Sequence, residues 1–176
     1  MKKRFTFFAL FFTAVCITAC SDNSTGPDES DLGNASLTVS GDVEGQRQGM
    51  ADFNSLHVMN LYTWEILIHD YNPQTFSLDF MLLSNEPIDR PGPGTYEIGS
   101  GTAEPTIFTA SYSDVEDGFT NSTEYSTLFG EYGGTLTITE SSDEQVKGTF
   151  EFTAADIDLE NDRVLGEISV SGEFTA

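Results

Sequence analysis

The chain has 176 residues with 29 acids against seven Lys and Arg, a formal charge of −22, and 38% of its side chains are apolar. A field of that sign repels phosphate backbones and anionic lipid headgroups, both of which are held by clusters of Lys and Arg, so nucleic acid is excluded as a partner. The length suits one domain able to bury roughly 70% of its unfolded surface.

Lys2, Lys3 and Arg4 precede an apolar run from Phe5 to Val15 that is too short to span a bilayer as a permanent helix. Ile17-Thr18-Ala19-Cys20 follows, and at all four positions it resembles the lipobox of bacterial lipoproteins. The resemblance implies a signal peptide over residues 1–19 and a lipid on Cys20, where several acyl chains give an attachment that one chain cannot. Cleavage there removes Cys16, so no disulfide staples the fold. It leaves Arg47, Arg90, Lys147 and Arg163 against all 29 acids, a net charge of about −25. In such lipoproteins an aspartate directly after the cysteine commonly retains the protein in the inner membrane. Ser21 stands there instead, which implies the outer membrane, with the domain on its periplasmic side or at the cell surface.

Residues 20–35 read as the lipidated cysteine and a flexible acidic tether, rich in Ser, Asp, Asn, Gly and Pro, whose composition cannot offset its ordering entropy by burial. Asp22, Asp28, Glu29 and Asp31 look either like an acidic surface-sorting tag or like a plain polar spacer. Residues 36–176 read as a single all-β domain. Leu37, Val39 and Val43 alternate with polar residues, as do Trp64, Ile66 and Ile68, then Phe76, Leu78, Phe80 and Leu82. Shorter strands are expected over Ser55 to Asn60, Gly94 to Ile98, Thr106 to Tyr112 and Thr123 to Phe129. Between them, Asn85 to Gly94 reads as a proline-rich loop and Asp114 to Ser122 as an acidic one.

The last third alternates most regularly, with Leu136 and Ile138, then Val146, Phe150 and Phe152, then Ile168, Val170 and Phe174 as the apolar members. One buried and one wet face is the mark of antiparallel sheet. The expected architecture is therefore an antiparallel β-sandwich or small β-barrel of about nine strands. The runs GPGTYEIG (Gly92 to Gly99), GGTLTITE (Gly133 to Glu140), KGTFEFTA (Lys147 to Ala154) and GEFTA (Gly172 to Ala176) resemble a family of uncharacterised Gram-negative bacterial lipoproteins that end in a threonine-rich β-meander. That resemblance implies the fold and the anchor, and carries no activity with it.

The best metal candidate is Asp156, Asp158, Glu160 and Asp162, at alternate places, with Glu167 eleven places after Asp156. Calcium takes six to eight oxygen ligands from a similar spacing in the EF-hand loop. Here, however, Asn161 stands where that loop needs glycine, and the pattern favours an edge strand or turn with Ile157 and Leu159 inward and the acids facing water. His69 is expected on the solvated face opposite Trp64, Ile66 and Ile68, and neither it nor His57 has convergent partners in the pattern. No Gly-x-Ser-x-Gly elbow or mature cysteine nucleophile is present, so no catalytic residue is assigned. Six tyrosines could form a surface for a protein or glycan partner, or simply fill sheet faces.

The expectation is a lipid-anchored envelope protein held to a membrane by its N-terminus, with a non-catalytic binding or structural role. The alternatives are a lipocalin-like carrier with Phe76, Phe80, Phe150 and Phe152 around a small apolar ligand, and a glycan-acting hydrolase with convergent carboxylates.

Overall fold

Alternation of apolar and polar side chains produces ten strands in the computed structural model, which describes residues 33–71, 74–101, 106–116, 121–161 and 163–176. In chain order they are β1 (Asn34–Gly41), β2 (Gly45–Val58), β3 (Leu61–His69), β4 (Phe76–Ser84), β5 (Gly94–Ile98), β6 (Ile107–Glu116), β7 (Asn121–Ser126), β8 (Gly133–Ser141), β9 (Val146–Asp158) and β10 (Arg163–Thr175). The expected signal peptide, Cys20 and Asp162 lie outside the described residues.

All ten strands belong to one sheet, in the order β10-β1-β2-β3-β4-β6-β5-β8-β9-β7. Because β9 also pairs with β10 from Lys147 to Asp158, the hydrogen-bonded circuit returns on itself, and β7 bridges β6 and β9. The pairings are antiparallel except for β5 beside β6, a short parallel contact of Glu97 and Ile98 with Ile107 and Phe108. Thr127 pins that seam from a fully buried position: its Oγ1 accepts from the Ala110 amide at 2.9 Å and donates to the Gly99 carbonyl at 3.2 Å. The all-β antiparallel expectation therefore holds, as one closed ring of strands.

Inward residues of every second position fill the ring. Phe76, Leu78, Phe80 and Leu82 of β4 meet Trp64, Ile66 and Ile68 of β3 and Phe150 and Phe152 of β9 in one core. The ring of Phe80 lies 5.0 Å from that of Phe150 and 5.8 Å from that of Phe152. Three of the bulkiest inward side chains stand opposite a glycine: Phe150 opposite Gly172, Phe174 opposite Gly148, and Phe152 opposite Gly134. A methyl group on Gly172 would sit 2.8 Å from Phe150 Cζ and 2.8 Å from Leu37 Cβ, so the absent side chain is the space the ring occupies. The Gly-Thr-aromatic texture of the last third is this pairing written in sequence.

Several expectations are corrected. β1 begins at Asn34 rather than Ser36, since Ala35 fills a core position, and it ends at Gly41, leaving Val43 in the turn to β2. The first half of β2, from Gly45 to Asn54, was not expected as strand, because its inward places are Arg47, Gly49, Ala51 and Phe53 rather than a row of large aliphatics. The acidic segment from Asp114 is not all loop: β6 runs through Glu116, and β7 starts again at Asn121. His69 is buried rather than solvated, because Tyr71 folds back with its ring edge-on at 4.3 Å.

Candidate functional site

The acid run of the last third closes a hairpin. Asp156 pairs with Gly166 and Asp158 with Arg163 across β9 and β10. Asp158 Oδ1 accepts from the amides of Glu160 at 3.1 Å and Asn161 at 3.2 Å, while Oδ2 accepts from Asn161 Nδ2 at 2.7 Å. The Asn161 side chain and these two amides hold the Asp158 carboxyl below its usual range. Glu160 faces water, and Glu167, on β10, accepts a hydrogen bond from the Tyr132 hydroxyl. Leu159 is 64% exposed at the turn, not inward. Among the described residues no three His, Cys, Asp or Glu side chains are placed to share a metal ion.

A different set converges inside the ring, at the end formed by the β1–β2 turn and the outer ends of β6 and β9. Arg47 faces inward because β2 places it opposite Leu37, and its Nη2 lies 3.4 Å from Asp114 Oδ1. The Tyr112 hydroxyl donates to the same oxygen at 3.3 Å, and the Tyr125 ring lies 6.5 Å from that of Tyr112. Burial pushes the Tyr112 phenol up to about 12. Burial also raises Tyr125, with the charges of Asp42, Asp156 and Asp114 adding to it. At neutral pH the cluster is thus the Arg47–Asp114 pair with two phenols that keep their protons.

Tyr112 and Tyr125 are the members of this cluster that the sequence singled out, as candidates for a binding surface. Arg47 could have been found from the alternation Gly45, Arg47, Gly49, Ala51, in which one charged residue replaces an apolar one. Of the six tyrosines, Tyr112 and Tyr125 are core residues, so they do not all share one surface.

On the outer face of the sheet, Asp79 of β4 sits beside Glu65 of β3. Burial, with the charge and hydrogen bond of Glu65, pushes the Asp79 carboxyl up to about 7. Its Oδ1 is buried without a partner, as is Asn54 Oδ1. A carboxyl raised this far favours the fold while it is protonated, and the benefit is lost as pH rises from about 4 through about 7. Asp79→Asn keeps the neutral shape. It is expected to leave stability at pH 4 nearly unchanged and to add about 2 kcal/mol at pH 8, where the native protein must hold an ionised carboxylate in a largely buried place. Urea melts at the two pH values read the difference directly, and an equal effect at both would remove Asp79 as the source.

The family described as "Domain of unknown function (DUF6252)" matches residues 71–175. The chain belongs to this family. No curated protein and no solved structure matches the chain. The DUF6252 match takes in β4 to β10, with the glycine-bearing runs as far as Thr175, and begins two residues after β3 ends. The strands that supply Arg47 and close the ring onto β10 and β4 lie ahead of it.

Proposed function

We propose that the protein is a lipid-anchored component of a Gram-negative cell envelope, held to the outer membrane through Cys20, that works by binding or as a structural element and not by catalysis. The observation that carries the non-catalytic half is the state of the interior. Among the described residues its convergent polar cluster holds an Arg47–Asp114 pair with phenols that stay protonated at neutral pH, so neither phenol is poised to act as a base or a nucleophile. Asp79, the carboxyl raised into the working range, lies on the outer face beside another carboxylate, with no nucleophile among its partners. The rings of Phe80, Phe150 and Phe152 occupy one another's space, which favours this reading over a carrier that needs the same volume for a ligand. The anchor half is supported by Ile17-Thr18-Ala19-Cys20 behind a basic, then apolar, leader.

Cys20→Ser is expected to move the protein from the membrane to the soluble fraction or to leave its precursor uncleaved, since attachment needs the thiol. Fractionation with mass spectrometry of the N-terminus tests it. A wild-type N-terminus without acyl mass would sink the anchor.

A further inference from the structure

The β2–β3 hairpin ends in an apolar tip whose composition departs from the rest of the chain. Leu56, Val58, Met59 and Leu61 are 55%, 62%, 90% and 41% exposed. Leu56, Val58 and Leu61 share the outer face of the hairpin with Thr63 and Asn54, by the register Val58 to Leu61 and Leu56 to Thr63. Between Asp52 and Glu65 there is no acidic residue, the longest such interval after Ser21 in a chain with 29 acids. Met59 adopts φ 58° in a two-residue turn, a conformation that glycine or asparagine takes at less cost. The turn thus keeps an unbranched apolar side chain in water at the point of greatest protrusion, against both solubility and backbone preference.

The direction of the hairpin identifies what it meets. The chain enters the fold at Gly33, whose amide and carbonyl bond to Ala51 of β2 at 3.0 and 3.3 Å. β1 turns back from there, while β2 runs on past it to Val58, about 24 Å further at the rise of an extended strand. Cys20 lies 13 residues before Gly33, a reach of at most about 45 Å. The tip therefore points to the side on which the chain arrives and lies within the radius that the tether allows. Among the described residues Tyr71, Leu128, Phe129, Leu159, Val164 and Leu165 are also exposed; Leu159, Val164 and Leu165 lie at the opposite end of β10 from the Asn34–Thr175 pair, with Phe129 beside them, and are interleaved with Asp158, Glu160, Arg163 and Glu167.

We infer that the β2–β3 tip, through Leu56, Val58, Met59 and Leu61, docks into the interfacial layer of the same bilayer that holds the lipid of Cys20, fixing the orientation of the domain. The inference rests on the proposed anchor. A convex tip of four side chains is too small for a stable protein interface, which takes about 800 Å² from each partner, whereas a fluid headgroup layer accepts it without a matching surface. The missing acids fit the same occupant, since a carboxylate at the tip would have to be dehydrated there. Tyr62, stacked on His57 at 4.0 Å one residue behind Leu61, has the amphipathic ring that interfaces favour.

The test uses the full lipidated protein in phosphatidylcholine vesicles, with an environment-sensitive dye on Met59→Cys and, separately, on Glu160→Cys. The acylated Cys20 cannot take the label. The expected result is a blue-shifted emission at position 59, quenched several-fold more by spin-labelled lipid than emission at position 160. Val58→Cys provides the same reading if the turn rejects cysteine. Protein that floats with the vesicles while both dyes remain equally in water overturns the docking and leaves the anchor standing. Protein that does not float overturns both. A shift that needs no vesicles and grows with protein concentration assigns the tip to a second copy of the chain, and also overturns the inference.

Discussion

Phe80→Ala is expected to cost about 3–5 kcal/mol, bringing a domain of ordinary stability close to unfolding. Phe80 is fully buried and is the ring through which β4 touches both Phe150 and Phe152, which stand across the interior on β9. Truncation removes the ring and leaves a void that neither neighbour can fill, since Phe150 and Phe152 are already held against Gly172 and Gly134 on their own sides. Urea denaturation at 25 °C measures the loss, and the melting temperature should fall by more than about 10 °C. A loss under about 1 kcal/mol would mean that the interior is not continuous between β4 and β9.

Gly172→Ala is the converse experiment, adding one carbon where Phe80→Ala removes six. The new methyl would meet the Phe150 ring, Leu37 Cβ and the Ser36 carbonyl, the last of which is backbone and cannot rotate away. Overpacking of this kind costs about 1–3 kcal/mol, and the fixed carbonyl puts Gly172 at the upper end. Phe150→Leu in the same chain withdraws the ring, so the double variant should be more stable than the sum of the two single losses predicts, by about 1 kcal/mol. Strict additivity would show that the clash is with Ser36 and Leu37 alone.

What the sequence disclosed of this fold follows from how each strand is filled. β4, β8, β9 and β10 were legible because large apolar residues alternate with Ser, Thr and Glu, which is what half-buried antiparallel sheet requires. β2 was opaque in its first half because its inward side holds Arg47, Gly49 and Ala51, and their burial depends on strands far away in sequence. His69 and Asp114 were misplaced for a related reason. Tyr71 covers the first, and Arg47 and Tyr112 compensate the second, so neither environment can be read from local alternation. The same blindness hid the interior cluster, whose members come from β2, β6 and β7 and meet only after the ring has formed. Leu159 erred in the other direction: it alternates with Ile157 within the acid run, but the chain has already turned there under the hold of the Asp158 carboxylate.

The ring has a consequence for the order in which it can be built. Asn34 pairs with Thr175, 141 residues further along, so β1 waits for β10. Until β10 has been synthesised and released, both β1 and β9 present an open edge, and the circuit has no partial form in which those edges are covered. Contacts of such long range place folding on the slow, millisecond-to-second side of the scale for small domains and leave the nascent chain extended for longer. The same delay makes β10, Arg163–Thr175, the strand whose loss would turn a closed molecule into one with two adhesive sides.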